Sequence, residues 1–263
     1  MSTVDKKKIG LFDSGHGGLS VLKSLWDLKL NAEYYYLADL AFAPYGDLSE
    51  QKILERSREL TKTLIEQGVE MIVVACNTAT AIAIDRLRAE FPAIPFVGVE
   101  PYLTAVERLG LDPQKEKLAV LVTPSMAASK RFQDLRARRD PHNTIQVHPC
   151  PNLARAIEEC FTQEGWSKRP APYYEAFKDL IPLQNQGLHY ALLGCTHYPL
   201  IAEAIEKFLA VKTLSPSEAV AKRVVSILSF QSPAAQTTLY YAQTQNFSWQ
   251  QKSWDSLWPA SLK

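Results

Sequence analysis

The chain has 263 residues, 46% hydrophobic and 22% charged, with 29 Lys and Arg against 28 Asp and Glu. Such usage excludes disordered and fibrous classes and suffices for one large or two small domains whose core needs no metal or disulfide staple. The net charge of +1 gives no global electrostatic case for nucleic acid or an anionic membrane.

No apolar run approaches the roughly 18 residues of a spanning helix. The first residues, through Lys6, Lys7 and Lys8, lead into no apolar stretch of the secretory kind, so a cytoplasmic protein is expected.

In chain order, short apolar runs alternate with helical stretches. Strands are expected at Ile9–Phe12, Tyr34–Leu37, Met71–Ala75, Phe96–Val99, Leu118–Val122, Thr144–Val147 and Tyr190–Leu193. Helices are expected over Gly18–Leu30, Ser49–Gln67, Thr80–Glu90 and Ser129–Arg139. Continuous rather than alternating apolar strands, each followed by a helix, predict an α/β fold of mainly parallel sheets flanked by helices. Ligands in such folds bind beyond the carboxyl ends of the strands.

Two segments are alike. Val73-Val74-Ala75-Cys76-Asn77-Thr78 and Leu192-Leu193-Gly194-Cys195-Thr196-His197 each run from an apolar pair through a small residue to cysteine and then polar residues. They suggest an internal repeat, two pseudo-symmetric lobes presenting strand-end cysteines to a shared cleft. The first crossover is placed at Phe91–Pro95 and the second near Leu209–Ser215. That gives a first lobe of 1–95 plus 211–263 and a second of 96–210. Beyond Phe230 the chain turns polar and aromatic, with Trp249, Trp254 and Trp258, and no role is assigned to it.

Three segments carry chemistry. Asp13-Ser14-Gly15-His16-Gly17-Gly18 joins a strand to a helix, where glycines allow tight turns and helix-start amides can bind an anion. Cys76 ahead of a helix sits where the helix dipole favours thiolate, and Asn77 and Thr78 could cap that helix. Cys195-Thr196-His197-Tyr198-Pro199 again places a cysteine at a helix start, with His197 near enough to tune it. Cys beside His also suits a hydrolase or acyl transferase, which has no work for a second cysteine. Equivalent cysteines suit proton transfer on opposite faces of one carbon. One thiolate takes the α-proton of an amino acid while the other thiol protonates the far face, and nearby dipoles stabilise the carbanion-like transition state.

The residues resemble the cofactor-independent glutamate racemases of the aspartate/glutamate racemase superfamily. The resemblance rests on Ile9 to Val21, on Pro44-Tyr45-Gly46, on Ala75-Cys76-Asn77-Thr78-Ala79 and on Leu193 to Leu200, in family order, with a softer match at Val97 to Pro101. It implies two α/β lobes facing each other across the substrate, with Cys76 and Cys195 as the opposed acid and base. Asp13 and His197 would be their respective auxiliary groups. Asp13, Ser14, Tyr45, Gly46, Asn77, Thr78, Thr196 and His197 would hold the amino acid. Glu158, after Cys150-Pro151, is a softer correspondence. The resemblance also implies no cofactor, a homodimer, and D-glutamate supplied to bacterial peptidoglycan.

The chain departs from the family at several places. His16 stands where valine is usual, and is read as an exposed turn residue or a group at the cleft mouth. Phe42 and Met126 replace residues near the expected site and leave racemisation of aspartate or another amino acid as an alternative. A binding or regulatory protein on the same fold is a further alternative, against which both cysteines argue. Cys150 and Cys160 are expected to be buried apolar groups. Tyr34-Tyr35-Tyr36 is expected to mix core and surface tyrosines. Lys130, Arg131, Arg136, Arg138 and Arg139 are read as a solvated helix face. No His or Cys spacing predicts a metal site.

Overall fold

The computed structural model describes residues 6–162, 177–230, 237–245 and 247–257; Trp258 lies outside them. Strands β1 (Lys7–Asp13), β2 (Ala32–Ala38), β3 (Met71–Val74) and β4 (Phe96–Gly98) stand in the order β2-β1-β3-β4, all parallel. Strands β5 (Leu118–Val122), β6 (Ile145–Pro149), β7 (Tyr190–Leu193) and β8 (Lys212–Leu214) repeat that order as β6-β5-β7-β8, again all parallel. The likeness around the two cysteines is therefore a likeness of topology, because β3 and β7 hold equivalent places. Every residue of β3 and β5 is buried, as parallel strands covered on both faces require.

Ten α-helices are named among the described residues. They are α1 (Leu19–Asp27), α2 (Glu50–Glu66), α3 (Asn77–Glu90), α4 (Ala105–Leu109), α5 (Pro124–Ala128), α6 (Lys130–Arg139), α7 (Leu153–Thr162), α8 (Ala202–Leu209), α9 (Ser217–Ile227) and α10 (Trp254–Leu257). Side chains fix several starts. Ser49 Oγ accepts the Lys52 N–H at 3.3 Å to open α2, and Ser129 Oγ accepts that of Phe132 at 3.2 Å to open α6. Helix α3 begins at Asn77 rather than Thr80 because Cys76 caps it, its Sγ accepting the Ala79 N–H at 3.4 Å.

Sheet membership corrects the expected lobe boundaries. Phe96–Gly98 pairs with β3 in the first sheet, and Lys212–Leu214 pairs with β7 in the second. The chain thus changes sheets after Gly98 rather than after residue 95, and again after Leu214 rather than after residue 210. It returns through α9, which packs on α1 and β4.

The aromatic tail has a structural role. β9 (Thr238–Gln243) adds to the first sheet parallel to β2, and β10 (Gln250–Gln251) pairs antiparallel with β9. Register sets Tyr240 opposite Tyr35 and Tyr241 opposite Tyr36, with ring centroids 4.7 and 5.9 Å apart. Trp249 meets Tyr35 edge-on at 5.5 Å, and Trp254 stacks on Trp26 at 5.7 Å. Tyr34, Tyr35 and Tyr36 are all buried, so the expected surface tyrosine is instead covered by Tyr240 and Trp249.

On α6, Lys130, Arg131, Arg136 and Arg139 each have a carboxylate partner: Asp134, Glu100 with Asp85, Asp140 and Glu107 in turn. All four cysteines are buried and none is in a disulfide. Among the described residues, no helix is long and apolar enough to cross a membrane, and no group of three or more His, Cys, Asp and Glu is placed to hold a metal ion.

Candidate active site

The carboxyl ends of the two sheets meet, and each strand-end cysteine stands at the head of a short polar relay. In the first lobe, Ser14 Oγ lies 3.8 Å from Cys76 Sγ and 3.5 Å from Asp13 Oδ1. Asp13 ends β1, is fully buried, and accepts the Gly18 N–H at 2.7 Å through Oδ2. In the second lobe, His197 Nδ1 lies 3.7 Å from Cys195 Sγ, and His197 Nε2 lies 2.7 Å from Glu158 Oε2. The relays are thus Cys76–Ser14–Asp13 and Cys195–His197–Glu158. Ser20 Oγ donates to the Thr196 carbonyl at 3.0 Å, tying α1 to the second lobe.

The two relays differ in charge. Burial, then the charge of Asp13, pushes the Cys76 thiol well above its usual value, outweighing the Ala79 N–H and Ser14. This corrects the expectation that a helix start lowers it: one backbone amide does not offset a buried thiol beside a carboxylate. Burial likewise lifts the Asp13 carboxyl, opposed by the charge of His197. His197 behaves oppositely. Burial works against its cation, yet hydrogen bonds to Cys195 and Glu158 prevail and hold it well above its usual value. Glu158 is held well below the carboxylate range, because bonds from His16 and His197 overcome the penalty of burial.

The loop glycines serve close approach. Gly15, Gly17 and Gly18 are not in the left-handed region. A Cβ at Gly15 would sit 2.2 Å from Glu158 Oε2, and one at Gly17 would sit 2.5 Å from His197 Nδ1. The tight-turn reading of this loop is replaced by one of space: the first lobe's loop lies against the second lobe's acid and imidazole.

The other expected site residues gather around the cysteines. Asn77 and Thr78 are buried in the first turn of α3, and Asn77 Nδ2 donates to the Val99 carbonyl at 3.4 Å. Asn77 Oδ1 is buried with no hydrogen-bond partner among the described residues. Thr196 is buried beside Cys195. Tyr45 is buried and donates its hydroxyl to Asp39 Oδ2 at 2.5 Å. Gly46 faces the second lobe, where Ser125 Oγ would be 3.4 Å from an added Cβ.

The sequence reading missed several groups. Asp39 takes two guanidinium bonds from Arg56, at 3.0 and 2.9 Å, which anchors Tyr45 from behind. Asp39 follows β2 much as Asp13 ends β1, a signal available in the sequence. Phe42 lies under the Arg56 guanidinium at 4.1 Å, which accounts for it as packing. Met126 is buried with Leu103, Phe132 and Leu135 in the second lobe's core. His16 is 9% exposed rather than an open turn residue. A groove of about 700 Å³ lined by His16, Pro44, Asp47, Arg155, Glu158 and Gln243 opens beside it, spanned by an ion pair between Asp47 and Arg155.

Comparison with known proteins agrees with this geometry. The Asp/Glu/Hydantoin racemase family profile matches residues 33–224. A glutamate racemase of Aliarcobacter butzleri is 36% identical over 225 residues, covering 84% of this chain and 83% of that protein. The Escherichia coli glutamate racemase, solved with L-glutamate and an activator, superposes with a TM-score of 0.75 at 26% identity, covering 91% of this chain and 89% of that one. That of Francisella tularensis, solved with D-glutamate, gives a TM-score of 0.70 at 30% identity, covering 90% and 89%. A repeated α/β lobe, a cysteine closing the equivalent strand in each, and a match well over half the chain lead to one conclusion: the chain belongs to the Asp/Glu/Hydantoin racemase family and is an enzyme of the racemase class.

Proposed function

We propose that this enzyme interconverts L- and D-glutamate by proton transfer between the α-carbon and two cysteines, without a cofactor. The observation that carries the reading is the pairing of Cys76 and Cys195 on topologically equivalent strands, each with a different proton partner. Cys76 is held as a thiol, whereas His197 in its cationic form is the counter-ion that a Cys195 thiolate requires. The two cysteines thus stand beside groups of opposite charge, Asp13 near one and His197 near the other.

In the step itself, the Cys195 thiolate removes the α-proton as the Cα–H electron pair moves onto the carbon and its carboxylate. The Cys76 S–H then delivers its proton to the opposite face, and the stereocentre inverts. The reverse direction exchanges the two roles. Removing the weakly acidic proton demands stabilisation of the developing negative charge, a task suited to the first-turn amides of α3 and the dipoles around Thr196. The unpartnered Asn77 Oδ1 is an acceptor suited to the substrate ammonium. Ser14, Tyr45, Gly46, Thr78 and Thr196 complete the proposed pocket, with Asp13 and His197 setting the protonation of the two thiols. An ammonium near Cys76 would also offset the carboxylate charge that keeps it protonated.

Glutamate is chosen over aspartate because the relatives that match this chain over most of its length are glutamate racemases. The departures that suggested another substrate, Phe42 and Met126, are both accounted for by packing. D-glutamate for peptidoglycan, made in the cytoplasm, is the corresponding proposed role.

The test is proton NMR of the enzyme with each enantiomer in D2O. Loss of the α-proton signal from both, with polarimetry showing interconversion, is expected. Cys76→Ala and Cys195→Ala should each abolish interconversion, and unchanged turnover in both variants would overturn the mechanism. A clear preference for aspartate in a substrate panel would overturn the substrate.

A further inference from the structure

His16 occupies a place that the proposed reaction does not use. Its backbone N–H donates to Glu158 Oε2 at 2.8 Å, and its Nδ1 lies 2.6 Å from Glu158 Oε1. Glu158 Oε2 also meets His197 Nε2 at 2.7 Å. One residue of the first lobe thus takes both oxygens of the carboxylate that backs the second lobe's histidine.

The proton positions follow from the neighbours. A carboxylate only accepts, so Nδ1 of His16 carries hydrogen. Gln243 Nε2 donates to the Tyr241 hydroxyl oxygen at 2.9 Å, and that hydroxyl lies 3.1 Å from His16 Nε2. Tyr241 thus shares a hydrogen bond with the far nitrogen of the ring. The chain of hydrogen bonds runs from Gln243 through Tyr241 and His16 to Glu158, from β9 into the cleft. The imidazole is also fixed in plane, stacked with Phe161 at 5.2 Å and 17° and with Tyr241 at 6.4 Å and 16°. Phe161 lies one turn from Glu158 on the same face of α7. Other charged groups nearby are Asp13 and His197 within the site, and Asp47, Arg155 and Glu159 along the groove.

We propose that His16 is a positioning residue. It clamps Glu158 from the opposite lobe and so fixes the Glu158–His197 contact that orients the counter-ion of Cys195, while Tyr241 and Gln243 hold the far side of its ring. The idea deepens the racemase reading and rests on it for its kinetic consequence. Without the imidazole donor, Glu158 keeps two of its three hydrogen bonds and is free to rotate away from His197.

The test compares His16→Val, which removes the donor, with His16→Asn, whose amide N–H can stand near the Nδ1 position. His16→Val should lower kcat about tenfold with KM changed less than about twofold, since the loss lies in the proton-transfer step. It should also move the acid limb of kcat/KM upward, because a looser Glu158–His197 contact weakens the cation beside Cys195. His16→Asn should recover kcat to within about threefold of the original. A folded His16→Val enzyme with unaltered kcat and acid limb overturns the proposal.

A second readout needs no turnover: 15N NMR of the histidines, in which the His197 titration should shift in His16→Val and return in His16→Asn. If His16→Val fails to fold, Tyr241→Phe decides, a shifted His197 titration supporting the clamp and an unshifted one refuting it. Enantiomers have equal free energies, so kcat/KM must be equal in both directions for every variant. Wild-type protein that exchanges neither enantiomer's α-proton refutes the racemase reading, and the NMR titration still decides the clamp.

Discussion

Replacing Glu158 with glutamine keeps its shape and removes its charge, so the cost can be worked from its bonds. Three donors meet it, at 2.6, 2.7 and 2.8 Å, and it is 9% exposed. A hydrogen bond to a charged group contributes about 1 kcal/mol more than a neutral one, so about 3 kcal/mol is lost. The amide is cheaper to bury, and His16 can change tautomer to accept from it, which leaves about 2 kcal/mol at pH 6.

The pH dependence has a definite sign. The folded-state pKa of Glu158 is depressed, so its contribution is present above the unfolded value near 4.3 and is lost as pH falls through the folded value. The folded-state pKa of His197 is raised, so its contribution is full below about 6.5 and declines as pH rises through the folded value. The stability gap between wild type and Glu158→Gln should therefore be widest from about pH 4.5 to 6.5. At 1.36 kcal/mol per unit, most of it should be gone by about pH 3. Urea unfolding followed by circular dichroism from pH 3 to 9 measures the gap directly. A gap under about 0.5 kcal/mol at pH 6, or one that persists undiminished at pH 3, would refute this account of the cluster.

Arg56→Met leaves Asp39 buried without its counter-ion and should cost about 3–5 kcal/mol in urea unfolding, with a rise in KM as Tyr45 loses its anchor; a cost under about 1 kcal/mol would show the pair to be dispensable. Gly17→Ala places a methyl group 2.5 Å from His197 Nδ1 and 2.8 Å from its backbone nitrogen, so kcat should fall while Cys76 stays reactive. Wild-type kcat in that variant would mean the loop yields freely. Limited treatment with iodoacetamide at pH 7, mapped by mass spectrometry, should label Cys195 before Cys76, because only Cys195 has a cationic neighbour. Equal labelling would contradict the asymmetry between the two relays.

The sequence exposes the cysteines because their surroundings are local. An apolar strand, a small residue and a polar helix start all lie within six positions, and the same six recur at the equivalent strand. The acid that completes the second relay is marked only by the softer correspondence after Cys150-Pro151, for the opposite reason. Glu158 stands 142 residues from His16 and 39 from His197, so no spacing in the chain marks it. The lobe boundaries were misplaced because β4 and β8 have three residues each, and Phe91–Pro95 marks the end of α3 rather than the change of sheet. The tail was unreadable alone, since Tyr240, Tyr241 and Trp249 acquire a purpose only against Tyr35 and Tyr36.

The ionisation of Cys76 shows where local reasoning turns misleading. A helix start does favour thiolate, and the Ala79 N–H does point at the sulfur. What reverses the balance is burial, and after it the charge of Asp13, brought beside Cys76 by the pairing of β1 with β3. The loop glycines teach the same lesson. Read locally they are turn residues, yet Gly15 and Gly17 have no room for a Cβ because they press against Glu158 and His197 of the other lobe, and Gly18 because it presses against Tyr36, Ala75 and Asp13 of its own. Gly15 and Gly17 therefore answer to the docking of two lobes, and Gly18 to the path of one strand into one helix. His16 sits between Gly15 and Gly17 with its ring against Glu158, and its chemistry is therefore set by the opposite lobe as well.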